Sequence, residues 1–201
     1  MVEQMSSETV NYYNQNAAEF AAATDQIDMT ALYKAFLPLV KTSGHILDAG
    51  CGSGRDAAYF KQLGFSVSAF DASCELAKMA SERLKQPVAV QQFEQLNDHE
   101  RYDGIWCCAS LLHVSTDTLP SVFSRLQQAL KPSAVLYVSF KYGDGEREVN
   151  GRRFTDMNKE KLKNVVATVR SLSIGKTWVT QDLRPERKHE VWFNALLTKL
   201  A

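Results

Sequence analysis

The strongest constraint on the fold is an alternation of short apolar segments with longer segments of helical period. Short apolar runs bounded by turn residues favour β-strands, and helical periodicity favours amphipathic helices. The predicted strands are residues 45–50, 66–70, 88–93, 102–109, 134–140, 172–180 and 191–199. The predicted helices are residues 55–63, 73–84, 119–130 and 157–169, preceded by two helices within residues 8–40 that are separated by a break near 24–28.

This order of elements predicts the fold class. Strands that alternate with helices form a mostly parallel sheet with helices on both faces. The last two strands have no helix between them, so they are expected to pair antiparallel at one edge of the sheet. We therefore predict an α/β protein with a seven-stranded, mostly parallel, doubly wound sheet and an antiparallel edge strand. Ser73 and Asn158 are the predicted N-caps of the helices that follow them.

The composition restricts the function further. A chain of 201 residues fits one domain, and 23 basic against 23 acidic side chains give a net charge of +0. Neutrality disfavours a general binder of nucleic acid or of membrane surfaces. The four cysteines lack the spacing of a metal site and are expected to be reduced, so no metal is predicted. The polar start and the lack of a long apolar run indicate a cytoplasmic location.

A glycine-rich turn follows the first predicted strand. It contains Gly50, Gly52 and Gly54, with Asp48 before them and Arg55 after them. In open parallel sheets the ligand lies beyond the carboxyl ends of the strands, and glycines allow the backbone to approach it closely. The N–H groups of the following helix suit a carboxylate. The spacing differs from the G-x-G-x-x-G pattern of dinucleotide binders, which opposes a nicotinamide-dependent oxidoreductase.

Several segments together resemble the class I S-adenosylmethionine-dependent methyltransferases. The glycine turn is similar to their first motif, D-x-G-x-G-x-G, and Asp71 ends the second predicted strand, where the family has a carboxylate. The Tyr-Asp pair that opens the segment 102–109 resembles the family's fourth-strand motif. Residues 129–136 resemble its LKPGG turn, with Ser133 and Ala134 in place of the glycines. The resemblance extends from about residue 10 to the C-terminus.

The resemblance implies methyl transfer with S-adenosylmethionine as the cofactor, and S-adenosylhomocysteine as its product. Asp71 would accept the ribose hydroxyl groups, Gln92 and Phe93 would flank the adenine, and Ala109 would face the methionine moiety. The full set of predicted cofactor-binding residues is Asp48, Gly50, Cys51, Gly52, Arg55, Asp71, Ala72, Gln92, Phe93, Ala109 and Tyr13.

Residues 1–40 are predicted to form an N-terminal helical lid or cap, and residues 41–201 the methyltransferase core of a single domain. In similar methyltransferases such helices fold over the cofactor, and Tyr12 and Tyr13 supply aromatic rings for this purpose. Plain packing of these rings against the sheet is the alternative.

The candidates for catalysis and substrate binding follow the later strands. His113 is the candidate general base, although it can also simply line the pocket. Tyr142, Arg152 and Arg184 are the predicted substrate-binding residues, and Arg153 and Arg187 lie in the same charged segments. These arginines suit an anionic substrate, and a solvated surface loop is the alternative.

No large insertion provides a separate substrate domain, which favours a small-molecule acceptor. Modification of RNA is the second enzymatic interpretation, and the neutral charge disfavours it. A non-catalytic S-adenosylmethionine-binding protein remains an alternative from another class.

Overall fold

The computed structural model describes residues 7–184 and 187–201. The first six residues of the predicted lid, and residues 185 and 186 of the last charged loop, lie outside the described residues. The helices are α1 (Ser7–Gln15), α2 (Ala17–Thr24), α3 (Thr30–Phe36), α4 (Arg55–Gln62), α5 (Cys74–Leu84), α6 (Leu119–Ala129) and α7 (Lys159–Ala167). The strands are β1 (His45–Ala49), β2 (Ser66–Asp71), β3 (Ala89–Val90), β4 (Tyr102–Cys107), β5 (Leu130–Lys141), β6 (Glu146–Val149), β7 (Arg152–Thr155), β8 (Leu172–Gln181) and β9 (Val191–Lys199).

Seven strands form one sheet in the order β3-β2-β1-β4-β5-β9-β8. The first five of these strands are parallel, whereas β9 runs antiparallel to both of its neighbours, β5 and β8. The order reverses between β1 and β4, so the loops after these strands diverge and leave a crevice. The predicted seven-stranded, mostly parallel α/β fold is confirmed.

The core is built by the alternation of side chains along the central strands. In β4, Ile105 and Cys107 point to the layer that contains α6 and α7, whereas Trp106 points to the layer that contains α3 and α4. Period-two alternation of apolar residues on both faces is what a sheet covered on both sides requires. Trp106 stacks on Tyr137 of β5, with ring centroids 4.0 Å apart, and both side chains are fully buried.

The helix N-caps agree with the sequence prediction. The Ser73 hydroxyl accepts the N–H of Leu76, and the Asn158 amide oxygen accepts the N–H of Lys161. Each of these bonds satisfies a backbone donor in the first helical turn that has no partner within its helix. Within the described ranges, no helix has both the length and the apolar character that crossing a membrane requires.

Apart from shifted element ends, such as the start of β5 at Leu130, the structure differs from the sequence prediction in three places. The helical region before Thr24 is divided at Asn16, whose φ of −115° and ψ of 19° are not helical, so α1 and α2 are separate helices. Strand β3 is only two residues long, because the chain turns at Phe93–Gln95 instead of continuing as a strand.

The third difference is a hairpin of β6 and β7, which forms a separate two-stranded sheet where a charged loop was expected.

A candidate cofactor and acceptor pocket

A cavity of about 380 Å³ lies at the carboxyl ends of the central strands. This volume falls within the usual range for small-molecule sites. Its wall continues from the ends of β1 and β2, across the end of β4, to the ends of β5 and β8 and the start of β9. We call the part at β1, β2 and β3 the glycine-turn side, and the part at β5, β8, β9 and strand β7 of the β6–β7 hairpin the hairpin side.

The glycine turn is fixed to the neighbouring strands. The N–H groups of Gly50 and Cys51 both donate to the Phe70 carbonyl, at 2.9 and 3.0 Å. Gly50 has a φ of +74°, and a Cβ at this position would lie 2.4 Å from the Cβ of Ser110. Only glycine fits this conformation beside the loop that follows β4, so the backbone itself forms the floor of the pocket.

Asp71 lies directly beside this turn. Its two carboxylate oxygens accept the N–H groups of Gly52 at 2.8 Å and of Ser73 at 2.9 Å. Burial raises the pKa of the Asp71 carboxyl group, and the hydrogen bonds from backbone N–H groups partly offset that rise. No described cation pairs with Asp71. Each oxygen keeps a lone pair, so the carboxylate can accept further hydroxyl donors.

Asp48, near the end of β1, stabilises the glycine turn. It is buried, and its carboxylate accepts the N–H of Ala57 in the first turn of α4 at 3.0 Å. Burial, together with the nearby charge of Asp56, raises the pKa of the Asp48 carboxyl group well above its usual value. Asp48 lines the pocket, and its bond to α4 ties β1 to the helix that follows the glycines.

Arg55 is already engaged within the protein. Its Nε donates to Asp56 at 2.6 Å, and a terminal nitrogen donates to the Thr24 carbonyl at the end of α2 at 2.8 Å. The Asp56 carboxylate also accepts the Tyr33 hydroxyl at 2.6 Å and the Trp106 indole N–H at 2.8 Å. Arg55 borders the pocket, and these contacts anchor the end of α2 to the core.

The other residues predicted to bind the cofactor also line the pocket: Cys51, Ala72, Gln92, Phe93, Ala109 and Tyr13. Phe93 packs edge-on against Phe70, with centroids 5.3 Å apart. The Ala109 N–H donates to the Ser139 hydroxyl at 2.8 Å, which holds the loop after β4 to β5.

His113 is buried between helix α1 and the β6–β7 hairpin. Its Nδ1 is 2.7 Å from the Arg153 carbonyl of β7, and its Nε2 is 2.8 Å from the Tyr13 hydroxyl of α1. A carbonyl can only accept, so Nδ1 carries the proton and Nε2 accepts from Tyr13. Burial lowers the pKa of His113 to about 4, and burial raises the pKa of Tyr13 to about 12. Both side chains are therefore neutral near pH 7.

The residues predicted to bind the substrate separate into different environments. Arg152 and Arg184 line the pocket, whereas Tyr142 is 55% exposed and is not among the lining residues. The Tyr142 N–H still donates to the Val191 carbonyl at 2.9 Å, so the backbone stays beside β9 while the side chain is exposed to solvent. Arg184 forms a two-point ion pair with Asp182, at 2.9 and 2.5 Å.

Four further lining residues of the hairpin side were not predicted from the sequence as site residues. Lys141, Ser139, Trp192 and Asn194 all line the pocket. Lys141 ends β5 as Asp71 ends β2, so the rule that points to strand ends would also have selected Lys141. Trp192 and Asn194 reach the pocket only because β9 lies antiparallel to β5, which places Trp192 beside Lys141. No three His, Cys, Asp or Glu side chains form a potential metal site in the described ranges.

The fold resembles several solved structures. The Burkholderia thailandensis 1,6-didemethyltoxoflavin-N1-methyltransferase has a TM-score of 0.76 and 22% identity, with 97% of this chain and 87% of that chain covered. A TehB-like S-adenosylmethionine-dependent methyltransferase from Corynebacterium glutamicum has a TM-score of 0.68 and 21% identity, with coverage of 94% and 97%. At these identities the likeness concerns the fold.

Curated sequences match over part of their length. The ubiquinone biosynthesis O-methyltransferase of Rickettsia typhi is 31% identical over 99 residues, which are 47% of this chain and 39% of that protein. The probable S-adenosyl-L-methionine-dependent methyltransferase TehB of Haemophilus influenzae is 26% identical over 88 residues, which are 41% and 31% of the two chains. The matches thus span less than half the length of these curated relatives.

A family model described as a methyltransferase domain matches residues 16–167, which extend from the residue before α2 to the end of α7. This match includes the glycine turn, Asp71 and the loop that carries His113. On this evidence the chain belongs to the methyltransferase-domain family, within the class I S-adenosylmethionine-dependent methyltransferases.

Proposed function

We propose that this protein transfers the methyl group of S-adenosylmethionine to a small molecule bound on the hairpin side of the pocket. The observation that carries the proposal is the position of Asp71. It is a half-buried carboxylate without a described cationic partner, and the N–H groups beside the glycine turn hold it at the pocket wall. A pair of ribose hydroxyl groups suits such a carboxylate.

The glycine-turn side fits the cofactor. The backbone at Gly50 and Gly52 offers close approach without a Cβ, and Asp71 would hold the ribose. Gln92 and Phe93, beyond the end of β3, would border the adenine. When bound, S-adenosylmethionine supplies a methyl group on a positively charged sulfur. The protein's own task is then to align the acceptor and to exclude water.

The ends of β4 and β5 and the start of β9 remain for the acceptor. Strand β2 lies three strand spacings from β5, which corresponds to about 14 Å across the pocket. Asp71 and Lys141 therefore occupy opposite sides, and the loop with Ala109 and His113 lies between them. A pocket of this size, with no separate substrate domain among the described residues, favours a small-molecule acceptor.

His113 fits a positioning role better than that of a general base. Its lone pair at Nε2 already accepts the Tyr13 hydroxyl, and its pKa of about 4 makes the imidazole a weak base. Proton abstraction by His113 would first require Tyr13 to leave. We therefore expect alignment of the acceptor, without a titrating side chain, to account for most of the rate enhancement.

Within residues 1–40, we assign the role of a lid to α1 and α2. Helix α1 is attached at both sides of the pocket. The Ser73 hydroxyl donates to Asn14 at 2.7 Å on the glycine-turn side, and the Arg153 N–H donates to Thr9 at 3.1 Å on the hairpin side.

Helix α3, in contrast, packs within the core, where Tyr33 and Phe36 are buried against Phe60 and Trp106. Residues 41–201, with α3, would then form the methyltransferase core of the single domain.

The cellular setting belongs to the same proposal. All four cysteines are free thiols, which agrees with a reducing compartment such as the cytoplasm. The neutral net charge supports a small-molecule partner over nucleic acid.

The proposed function is tested by methyl transfer from labelled S-adenosylmethionine across a panel of small metabolites, with tRNA as a macromolecular comparison. We expect label to appear in a small molecule in an amount equal to the S-adenosylhomocysteine formed. Label in tRNA alone would contradict the small-molecule acceptor. Binding of S-adenosylhomocysteine without transfer to any member would favour a non-catalytic cofactor-binding protein.

A further inference from the structure

The arginines near the pocket differ in their partners. Arg184 is paired with Asp182, Arg153 lies 3.6 Å from Glu146, and Arg55 is paired with Asp56. Arg152 also lines the pocket, but it forms no ion pair with any described acidic side chain.

The guanidinium of Arg152 lies beside the Tyr13 hydroxyl, but its Nε is buried and has no hydrogen-bond partner among the described residues. A buried guanidinium nitrogen without an acceptor is unfavourable, so this group is suited to an anion from outside the protein.

The protein nevertheless holds Arg152 firmly in place. The guanidinium carbon lies 4.1 Å from the centre of the Tyr12 ring and 5.2 Å from that of Phe154. The next residue, Arg153, is held at both backbone atoms, because its N–H donates to Thr9 and its carbonyl accepts from His113. Stacking on aromatic rings and a fixed backbone keep the planar guanidinium oriented before any ligand binds.

The surroundings of Arg152 are positively charged and aromatic. Lys141 lies 5.9 Å from the Phe154 ring and 5.1 Å from the Trp192 ring. Burial and the charges of Arg187 and Arg184 lower the pKa of Lys141 to about 8, which reflects the density of cations on this side. Asp182 pairs with Arg184, and Glu190 pairs with Lys141 and lies 3.8 Å from Arg187. Two acidic side chains thus face four cations, Lys141, Arg152, Arg184 and Arg187, so the hairpin side combines flat apolar surfaces with an excess of positive charge.

We infer that the methyl acceptor is an aromatic or similarly flat molecule that carries a carboxylate, and that Arg152 binds this carboxylate. This inference rests on the proposed function, because it assigns the substrate class of the same pocket. A carboxylate offers two oxygens to the planar guanidinium, and the aromatic lining formed by Tyr12, Phe154 and Trp192 suits the body of the molecule.

A second anion could compete for Arg152, namely the methionine carboxylate of the cofactor. The position of Arg152 on the hairpin, beside Phe154 and Lys141, favours the acceptor, because Asp71 and the glycine turn lie at the opposite side of the pocket. The two possibilities are distinguished by measuring the dissociation constants of S-adenosylhomocysteine and of an acceptor mimic separately.

The experiment uses calorimetry on the full chain saturated with S-adenosylhomocysteine. The probes are 4-hydroxybenzoate and 4-hydroxybenzamide, which have the same shape and differ in charge, each titrated to tens of millimolar. The variants are Arg152→Met, which removes the charge and keeps the aliphatic stem, and Arg152→Lys, which restores a charge without the planar fork. Arg153→Met is the matched control, because Arg153 is the neighbouring arginine and already has Glu146 as a partner.

We expect the wild type to bind the benzoate on the order of 10- to 100-fold more tightly than the benzamide, as for hydrogen bonds to a charged group. Arg152→Met should abolish this preference, Arg152→Lys should restore part of it, and Arg153→Met should keep it. The dissociation constant of S-adenosylhomocysteine should stay within about threefold in all variants.

Three results would overturn the inference. Equal binding of the two probes to the wild type, or no binding of either, would show that Arg152 does not attract a carboxylate. A tenfold or greater loss of S-adenosylhomocysteine affinity in Arg152→Met, with unchanged affinity for 5′-methylthioadenosine, would assign Arg152 to the cofactor carboxylate. Failure of the proposed function has a different signature, since the wild type would then not bind S-adenosylhomocysteine at all.

Discussion

The two sides of the pocket are built in different ways. On the glycine-turn side, the turn and Asp71 lie within about one β-α-β unit, and backbone N–H groups fix the carboxylate. On the hairpin side, the wall consists of residues from β5, β7 and β9 that are distant in sequence. His113, for example, is oriented by the carbonyl of Arg153, forty residues further along the chain. A local motif thus forms one side, and tertiary assembly forms the other.

The first prediction is that an added methyl group destabilises the fold more in the glycine turn than in the turn of the β6–β7 hairpin. Gly50→Ala would place a Cβ 2.4 Å from Ser110 in a backbone with φ of +74°. We expect a loss of about 3 kcal/mol or more in unfolding free energy, from the left-handed conformation and from the displaced neighbour together. Gly151→Ala, in the hairpin turn, is the control, because φ is +70° and no atom lies within 4 Å. It should lose only about 1 to 2 kcal/mol.

Denaturant unfolding of both variants checks this prediction. Equal losses at the two positions would mean that the glycine turn is not packed against the loop after β4.

The second prediction concerns His113 and the pH dependence of stability. Its pKa is lowered to about 4 in the folded protein, against 6.5 for the free side chain, so the unfolded chain binds more protons between these values. The contribution of His113 to stability is complete above pH 6.5 and is lost as the pH falls to 4. Between pH 7 and 4, the wild type should therefore lose about 3 kcal/mol more unfolding free energy than His113→Asn.

His45→Asn is the matched control, since His45 is only half-buried and its pKa is lowered by burial as well. A smaller pH-dependent difference is expected there. If wild type and His113→Asn lost stability in parallel, the buried contacts of His113 with α1 and β7 would not exist in solution.

The glycine-turn side could be predicted from the sequence, whereas much of the hairpin side could not. The alternation of strands and helices, the glycine turn and the position of Asp71 depend on neighbours in sequence, and they could be read directly. The β6–β7 hairpin could not be predicted in this way. All four residues of Glu146–Val149 are exposed, and in Arg152–Thr155 two half-buried residues precede two buried ones, so neither segment has the period-two pattern of a strand with one buried face.

The hydrogen-bond partners of His113 also could not be predicted from the sequence. Its sequence neighbours Leu111, Leu112 and Val114 offer no group that orients the imidazole, and the actual partners come from α1 and β7. The sequence also does not predict that Arg152 lacks a described acidic partner, since this depends on which acidic side chains the fold brings to Arg153 and Arg184 instead.

The third prediction compares carboxylates inside and outside the pocket. Asp71→Ala should weaken S-adenosylhomocysteine binding by about 1.5–3 kcal/mol, the range for hydrogen bonds to a charged group. Asp103→Ala removes a carboxylate that also accepts a backbone N–H, from His45 at 2.8 Å, but it lies outside the pocket lining. The affinity of Asp103→Ala for S-adenosylhomocysteine should equal that of the wild type. Calorimetry on the three proteins checks this, and an unchanged affinity in Asp71→Ala would remove Asp71 from the site.

The smallest effect is expected in α1, the proposed lid helix. Helices that cover a binding site belong to the less stable parts of a protein, so amide hydrogen exchange in α1 should slow when S-adenosylhomocysteine is added. Exchange in α7, which packs on α6 away from the pocket, should not change. Mass spectrometry of peptides from both helices provides the comparison. Equal exchange in α1 with and without ligand would make this helix a fixed wall and not a lid.

The most direct test of the account is the ligand preference of the unmodified protein. Calorimetry of the wild type with S-adenosylhomocysteine and, separately, with NAD⁺ compares the two nucleotide classes that a glycine-rich turn after β1 can serve. We expect S-adenosylhomocysteine to bind with one molecule per chain and NAD⁺ not to bind, since the turn lacks the dinucleotide spacing and Asp71 remains available for the ribose. Tighter binding of NAD⁺ than of S-adenosylhomocysteine would contradict the central claim.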